Sequence, residues 1–144
     1  MLEEKDSVAI INSYTRQDWQ PLLELIPDIE KTESFGEWAG GTSKDGQSRQ
    51  FPHFVQAPVI SRFLEIANDM PILIVFNWMG WSEGREMIND KNFDFDSVDV
   101  PTKCKVISAI VRSERFAEGS LAEAFSSGQM LRILKSIEKQ VGEN

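Results

Sequence analysis

The sequence predicts an all-α protein, a compact single-domain bundle of five to seven helices spanning residues 1–144. Apolar residues recur every three or four positions in several separate segments, which is the spacing of a helix face. A chain of 144 residues, 41% hydrophobic and 26% charged, is long enough for one domain with its own core. Residues 32–52 are different, because they contain four glycines and no helical period. They predict a long loop or a small hairpin.

Two helices are predicted ahead of this glycine-rich segment. Asp6 or Ser7 is suited to cap the first helix, since short polar side chains accept hydrogen bonds from the first amides. Asp18 offers a second cap before "WQPLLELI". Pro27 is expected to end or kink that second helix.

The middle of the chain predicts another helix and then a segment with two interpretations. The helix is expected to begin near Phe54. The run "PILIVFNW", residues 71–78, is apolar throughout, and periodicity alone fits either a buried strand or a buried helix. A helix is favoured because Trp78, Trp81 and Arg85 continue at helical steps.

The last third of the chain predicts helices separated by glycines. Pro101 opens the first of them, whose apolar residues form a wide stripe. Gly119 interrupts it, and Ser120 with Glu123 forms an S-x-x-E capping box for the next helix. Gly128 is placed as a left-handed cap between that helix and the last one.

The charge balance argues against nucleic acid as a partner. The chain has 23 acidic and 15 basic residues and a formal net charge of −8, so most of its surface would repel phosphates. A basic protein partner is compatible with this charge, including a protein whose nucleic-acid-binding surface the acidic chain would occupy as a mimic.

Cysteine usage and hydropathy predict a cytoplasmic protein with no membrane partner. Cys104 is the only cysteine, so no intrachain disulfide can form and a reducing compartment is expected. The start "MLEEKDS" lacks the basic and apolar regions of a signal peptide. The most apolar run is far shorter than a bilayer-spanning helix.

The stretch "VRSERFAEGSLAEAFSSG", residues 111–128, concentrates charge over an apolar stripe. On a helix, Arg112 and Arg115 share one flank of that stripe. The favoured interpretation is a structural clamp, in which these arginines pair with Glu118 or Glu123. The alternative is that one arginine binds an anionic ligand at the helix junction.

Aromatic residues offer a second candidate feature. Trp78 and Trp81 with Arg85 predict core packing in the first instance, and an aromatic-walled pocket with a cationic rim in the second. Trp38 lies in the glycine-rich segment, where it would either fold back as the anchor of a lid or contact a partner.

No metal ion or cofactor is predicted. His53 and Cys104 are single residues of their types, so the usual zinc ligand sets cannot be built. Counting from Asp94, an EF-hand would need Gly where Asp99 stands and Glu where Lys105 stands. The glycine-rich "GGTSKDG" lacks the G-K-[ST] order of a phosphate-binding loop.

The C-terminal residues also resemble a family. "VRSERFAEGSLAEAFSSGQMLRIL" is similar to the C-terminal signature of a group of small, uncharacterised bacterial proteins classed as a domain of unknown function. The matching positions are Arg112, Glu114, Arg115, Phe116, Gly119, Leu121 and Gly128. "FNWMGWSEGREMI" and "FPHFVQAPVISRF" resemble the aromatic segment and the middle helix of the same group. The resemblance implies a helical fold and a bacterial source, and it brings no activity with it.

These observations favour a non-catalytic module that binds another protein or a small anionic ligand, with a homodimer as a further option. Its polar site would be the 112–123 bend, faced by residues 78–85 and covered by the 35–52 loop. The candidate ligand-binding residues are Arg112, Arg115, Glu118, Glu123, Trp81, Glu83 and Arg85, and the candidate partner contact is Trp38.

Two other functions are compatible with the sequence. A small enzyme would use Glu83, Glu118 or Glu123 as acid or base, with the two arginines of the bend holding an anionic substrate. An acidic mimic of nucleic acid would instead present Asp and Glu side chains along one side, at phosphate-like spacing.

Overall fold

The computed structural model describes residues 3–42 and 49–142, and in this part of the chain helices predominate. The all-α prediction is therefore confirmed. The helices are α1 (Glu4–Ser13), α2 (Arg16–Leu23), α3 (Leu25–Lys31), α4 (Pro58–Asp69), α5 (Ser82–Asn89), α6 (Val100–Ser113), α7 (Ser120–Ser126) and α8 (Gln129–Val141). A short 3-10 helix covers Phe95–Ser97. None of the described helices combines the length and apolar character needed to cross a membrane.

The first helices begin at caps other than the predicted ones. Helix α1 begins at Glu4 without a side-chain cap, so Asp6 and Ser7 lie inside it. Thr15 is the N-cap of α2, and Asp18 is the third helical residue that completes a reciprocal capping box with it. Both predictions misplaced the helix start by a few residues.

The glycine-rich segment forms the small hairpin that was one of its two predicted forms. Strands β1 (Gly36–Thr42) and β2 (Arg49–Gln56) are antiparallel, with Trp38 opposite Phe54. The prediction of a helix from Phe54 is therefore wrong. Helix α4 begins at Pro58, because a residue that precedes proline is held in extended conformation.

Residues 71–81 contain neither helix nor strand, so the helix prediction for residues 71–78 is wrong. Ile72 and Ile74 are fully buried, and the residues that follow each of them are more exposed. Side chains of α6 bind this backbone in place of a neighbouring strand. The amide of Ile74 donates to Ser108 Oγ at 2.8 Å, and the carbonyl of Ile74 accepts from the Arg112 guanidinium.

Helix α6 is the centre of the fold. It packs against α1, α5, α7 and α8. Its buried residues are Pro101, Lys103, Cys104, Val106, Ile107, Ser108, Ala109 and Ile110. Around it, the hydrophobic core includes side chains from Ile11 in α1 to Val141 in α8. The site described next lies where this central helix ends.

Candidate functional site

The bend between α6 and α7 depends on a glycine. Helix α6 ends at Ser113, and α7 begins at Ser120 after a short turn. Gly119, the N-cap of α7, has φ of 92°, a left-handed conformation that residues with a Cβ rarely adopt. The predicted interruption at Gly119 is confirmed, and so is the left-handed cap at Gly128, with φ of 86°.

Glutamates of the bend bind backbone amides. The two carboxylate oxygens of Glu114 accept hydrogen bonds from the amides of Gly119 and Leu121, at 2.8 and 2.9 Å. Glu114 therefore caps α7, and the predicted cap by Ser120 is absent. Glu118 Oε1 accepts from the amide of Phe54 at 2.7 Å, which connects the bend to strand β2.

The predicted arginine–glutamate clamp is not formed. The ion pairs among the described residues include neither Arg112 nor Arg115. Arg112 is partly buried and donates to the carbonyl of Ile74, whereas Arg115 is exposed. Burial lowers the pKa of Arg112, and the neighbouring charge of Arg115 lowers it further. Glu118 instead accepts a hydrogen bond from the amide of Phe54.

The residue after Arg115, Phe116, packs against Trp78 at the bend. Phe116 is 67% exposed, and its ring centroid lies 6.0 Å from that of Trp78. We call Trp78, Arg112, Arg115 and Phe116 the arginine site. Met79, 56% exposed, follows Trp78 and extends the apolar surface.

A groove begins at Trp78 and runs along α5. Its first section, about 340 Å³, is lined by Trp78, Trp81 and Arg85 on one side and by Ile110 of α6 beneath. Its second section, about 500 Å³, adjoins the first at Ile88, Ile110 and Ser113, which line both. Residues of α7 and α8 form the opposite wall of this second section. We call the two sections together the α5–α7 groove.

The predicted residues of α5 occupy different places around this groove. The Trp81 ring packs edge-on against Phe76, and the ammonium group of Lys105 lies 4.6 Å from the centre of each ring. Arg85 donates to the carbonyl of Met79 at 2.6 Å, so its guanidinium stays at the groove entrance. Glu83 is exposed in the first turn of α5 and does not line the groove.

Trp38 and Glu123 belong to a separate cavity beside the hairpin. Trp38 is 59% exposed and packs edge-on against Phe54, at 5.6 Å between centroids. The cavity, about 380 Å³, lies between these two rings and the Glu118–Glu123 part of the bend. Glu123 also lines the second section of the groove.

Sequence reasoning missed one buried charge. Lys103 is 0% exposed, and its Nζ is the buried side-chain polar atom without a hydrogen-bond partner in the described part of the chain. Burial lowers its pKa, against the opposing effect of Asp96 and Asp99. Its position four residues before Ile107 places it on the apolar stripe of α6, which was the available signal.

The described residues include no group of three or more His, Cys, Asp or Glu side chains placed to hold a metal ion. The side chain of His53 lies outside those described. Cys104 is fully buried, and burial raises the pKa of its thiol well above the usual range, which disfavours the reactive thiolate.

The fold and the site define a small helical protein with a surface groove and two arginines that form no ion pair with a described carboxylate. Residues 14–143 match a family described as a family of unknown function (DUF6508), and the chain belongs to that family. Neither a curated protein nor a solved structure matches the chain.

Proposed function

We propose that the protein is a non-catalytic binding module whose arginine site holds an anionic group that lies next to an aromatic or aliphatic group. The observation that carries the proposal is the neighbouring pair Arg112 and Arg115, which forms no ion pair with a described carboxylate. Guanidinium groups bind carboxylates, sulfonates and phosphates through paired hydrogen bonds.

The charge of the chain makes this pair informative. Acidic residues outnumber basic ones by 23 to 15, so a surface arginine has many potential partners. The nearest acids in sequence, Glu114 and Glu118, instead hold backbone amides. Arg112 and Arg115 therefore repel each other, and an anion bound between them would relieve that repulsion.

The rings of Trp78 and Phe116 supply the second half of the proposed specificity. Phe116 follows Arg115 in the chain and packs against Trp78, and its exposed fraction is large for a phenylalanine. An aromatic ligand would bury this surface, and its anionic substituent would reach the guanidinium groups. Aromatic surface beside arginine is characteristic of binding hot spots.

The alternative of acid–base catalysis has less support. A catalytic carboxylate must exchange a proton with a substrate, but Glu118 is engaged with the amide of Phe54. Glu83 is exposed on α5 and does not line the groove. We therefore place binding ahead of catalysis.

The test compares two naphthalenes that differ in charge. Naphthalene-1-sulfonate carries the anion, and 1-naphthalenemethanol has the same ring without it. Both are titrated into ¹⁵N-labelled protein, and the dissociation constants are taken from the indole signal of Trp78. We expect the sulfonate to bind more tightly than the alcohol, because only the sulfonate engages the arginines.

Arg115→Gln is expected to weaken sulfonate binding by about fivefold, which corresponds to about 1 kcal/mol for an exposed ion pair. Binding of the alcohol should not change. Arg62→Gln on α4 is the matched control, since it removes the same charge from an exposed position paired with Asp28. Equal affinities for the two naphthalenes, or an equal loss in the Arg62 variant, would contradict the proposal.

A further inference from the structure

We infer that the α5–α7 groove binds an acidic segment of a partner protein, one that also carries bulky apolar side chains. This inference rests on the proposed function, because Trp78 belongs to both the arginine site and the groove. It adds the chemical class of the partner and the path that the bound segment follows.

The groove has the shape of a trough between helices. Helix α6 forms its floor through Ile110 and Ser113, and α5 forms one wall. The other wall consists of Glu123 and Ala124 from α7, Ser127 just after it, and the start of α8. Both sections are partly open to solvent and together extend along α5, which suits a chain segment.

Helix α5 packs on α6 and leaves a trough between itself and α7. Among its eight residues only Gly84 is buried, and its main helix contact is with α6. Two hydrogen bonds from α8 hold this side of the trough near its far end. Gln129 Nε2 donates to the carbonyl of Ile88 at 2.7 Å, and Arg132 Nη1 donates to that of Phe93 at 3.1 Å.

The end of the groove near the arginine site is apolar. Trp78, Met79 and Trp81 line it, and Ile88 continues the apolar wall. Gly84 is required there, because a Cβ at this position would collide with the Trp81 ring. This end therefore fits the bulky apolar side chains of a partner.

The lining of the whole groove carries excess positive charge. The charged residues that line the two sections are Arg85, Lys91, Arg132 and Glu123. Three are basic and one is acidic, although the whole chain has a net charge of −8. Opposite charge across an interface guides association and selects the partner, so this lining favours an acidic segment.

The length of the groove sets the size of the bound segment. The eight residues of α5 span about 12 Å at 1.5 Å per residue. That distance corresponds to roughly four residues of extended chain or about two turns of helix. The groove thus accommodates a short linear segment with one or two apolar anchors.

The test is a peptide selection on the full-length protein. A displayed library of random twelve-residue peptides is selected on the wild-type chain, and the enriched peptides are synthesised for titration. We expect enriched sequences to combine Asp or Glu with Trp, Phe, Leu or Ile. Lys91→Glu, a charge reversal at an exposed groove position, should weaken their binding by at least about tenfold.

Lys31→Glu is the matched control, because it makes the same charge change at an exposed position outside the groove. It should change peptide affinity by less than about twofold. Enrichment of basic peptides, no enrichment, or equal losses for the two lysine variants would overturn the inference. A wild-type dimer that Lys91→Glu dissociates would also overturn it, since the occupant would then be a second copy.

The naphthalene titration separates the two proposals. If Arg115→Gln weakens sulfonate binding but Lys91→Glu leaves peptide binding unchanged, the proposal for the arginine site stands and the inference for the groove is wrong. If Lys91→Glu weakens peptide binding but the wild-type protein binds the sulfonate no more tightly than the alcohol, the arginine site does not bind the anion.

Discussion

Glu118 Oε1 lies 2.7 Å from the backbone nitrogen of Phe54, sixty-four residues earlier in the chain. This hydrogen bond connects the α6–α7 bend to the hairpin. The Phe54 ring lies against Gly119 as well, within van der Waals distance of where a Cβ would be. The bend is thus bound to the hairpin on one side, while its arginines pair with none of the described acids.

Glu118→Ala is expected to loosen the hairpin without unfolding the bundle. The amide of Phe54 would lose its acceptor, so its hydrogen exchange should accelerate by at least about fivefold. Glu118→Gln keeps an acceptor oxygen and should have a smaller effect. Exchange measured by NMR tests this, and equal rates in the alanine variant and the wild type would show that the hydrogen bond does not hold β2.

Glu114→Ala is expected to lower the free energy of unfolding by about 1–2 kcal/mol. Two amides at the start of α7, those of Gly119 and Leu121, would lose their acceptors together. Ser120→Ala should cost less than half as much, because the Ser120 side chain does not cap the helix. Urea unfolding followed by circular dichroism measures both, and a larger loss for Ser120→Ala would contradict the assignment of the cap.

Gly119→Val is expected to destabilise the protein by at least about 1 kcal/mol, because valine resists the left-handed conformation and its side chain would press on Phe54. Gly128→Val shares the backbone strain but projects into open space, so it should cost less. Thermal unfolding compares the two. An unchanged melting temperature for Gly119→Val would mean that the bend does not depend on this glycine.

Lys103→Met is expected to stabilise the protein at neutral pH by at least about 1 kcal/mol, since it replaces an unpartnered buried ammonium with an apolar side chain. The folded-state pKa of Lys103 lies below the unfolded value of 10.5, so the unfolded chain binds more protons between the two values. The free energy of unfolding of the wild type therefore rises with pH between these two pKa values. The difference in stability between Lys103→Met and the wild type becomes smaller over the same range.

Chemical unfolding of both proteins between neutral pH and pH about 10.5 measures this difference. Lys31→Met, at an exposed position, serves as the control and should show no such trend. If Lys103→Met destabilises the protein at neutral pH, the ammonium group makes a favourable interaction in the folded state and the prediction is wrong.

The helices were predictable because the apolar residues of each helix face recur every three or four positions in the sequence. The segment around Ile72 and Ile74 was not, since its hydrogen-bond partners, Ser108 and Arg112, lie more than thirty residues away. An all-apolar run hides the alternation of an extended chain. The aromatic steps at Trp78 and Trp81 added a false helical period.

The bend at Gly119 was predicted in position, but the contacts of its charged residues were not. Charge concentration marked the 112–123 bend, yet residue types alone do not show whether a glutamate will bind an arginine or an amide. The amide of Phe54 became available only through the tertiary path of the chain. The basic residues Lys91 and Arg132 of the groove were missed for the same reason, because they come from separate segments.

The central claim is that Arg112 and Arg115 bind an anion rather than the acids of their own bend. A crystal structure of the protein with naphthalene-1-sulfonate tests it most directly. We predict sulfonate oxygens within hydrogen-bond distance of at least one of these guanidinium groups, with the naphthalene ring against Trp78 or Phe116. Both guanidinium groups paired with Glu118 or Glu123, and the sulfonate elsewhere, would contradict the claim.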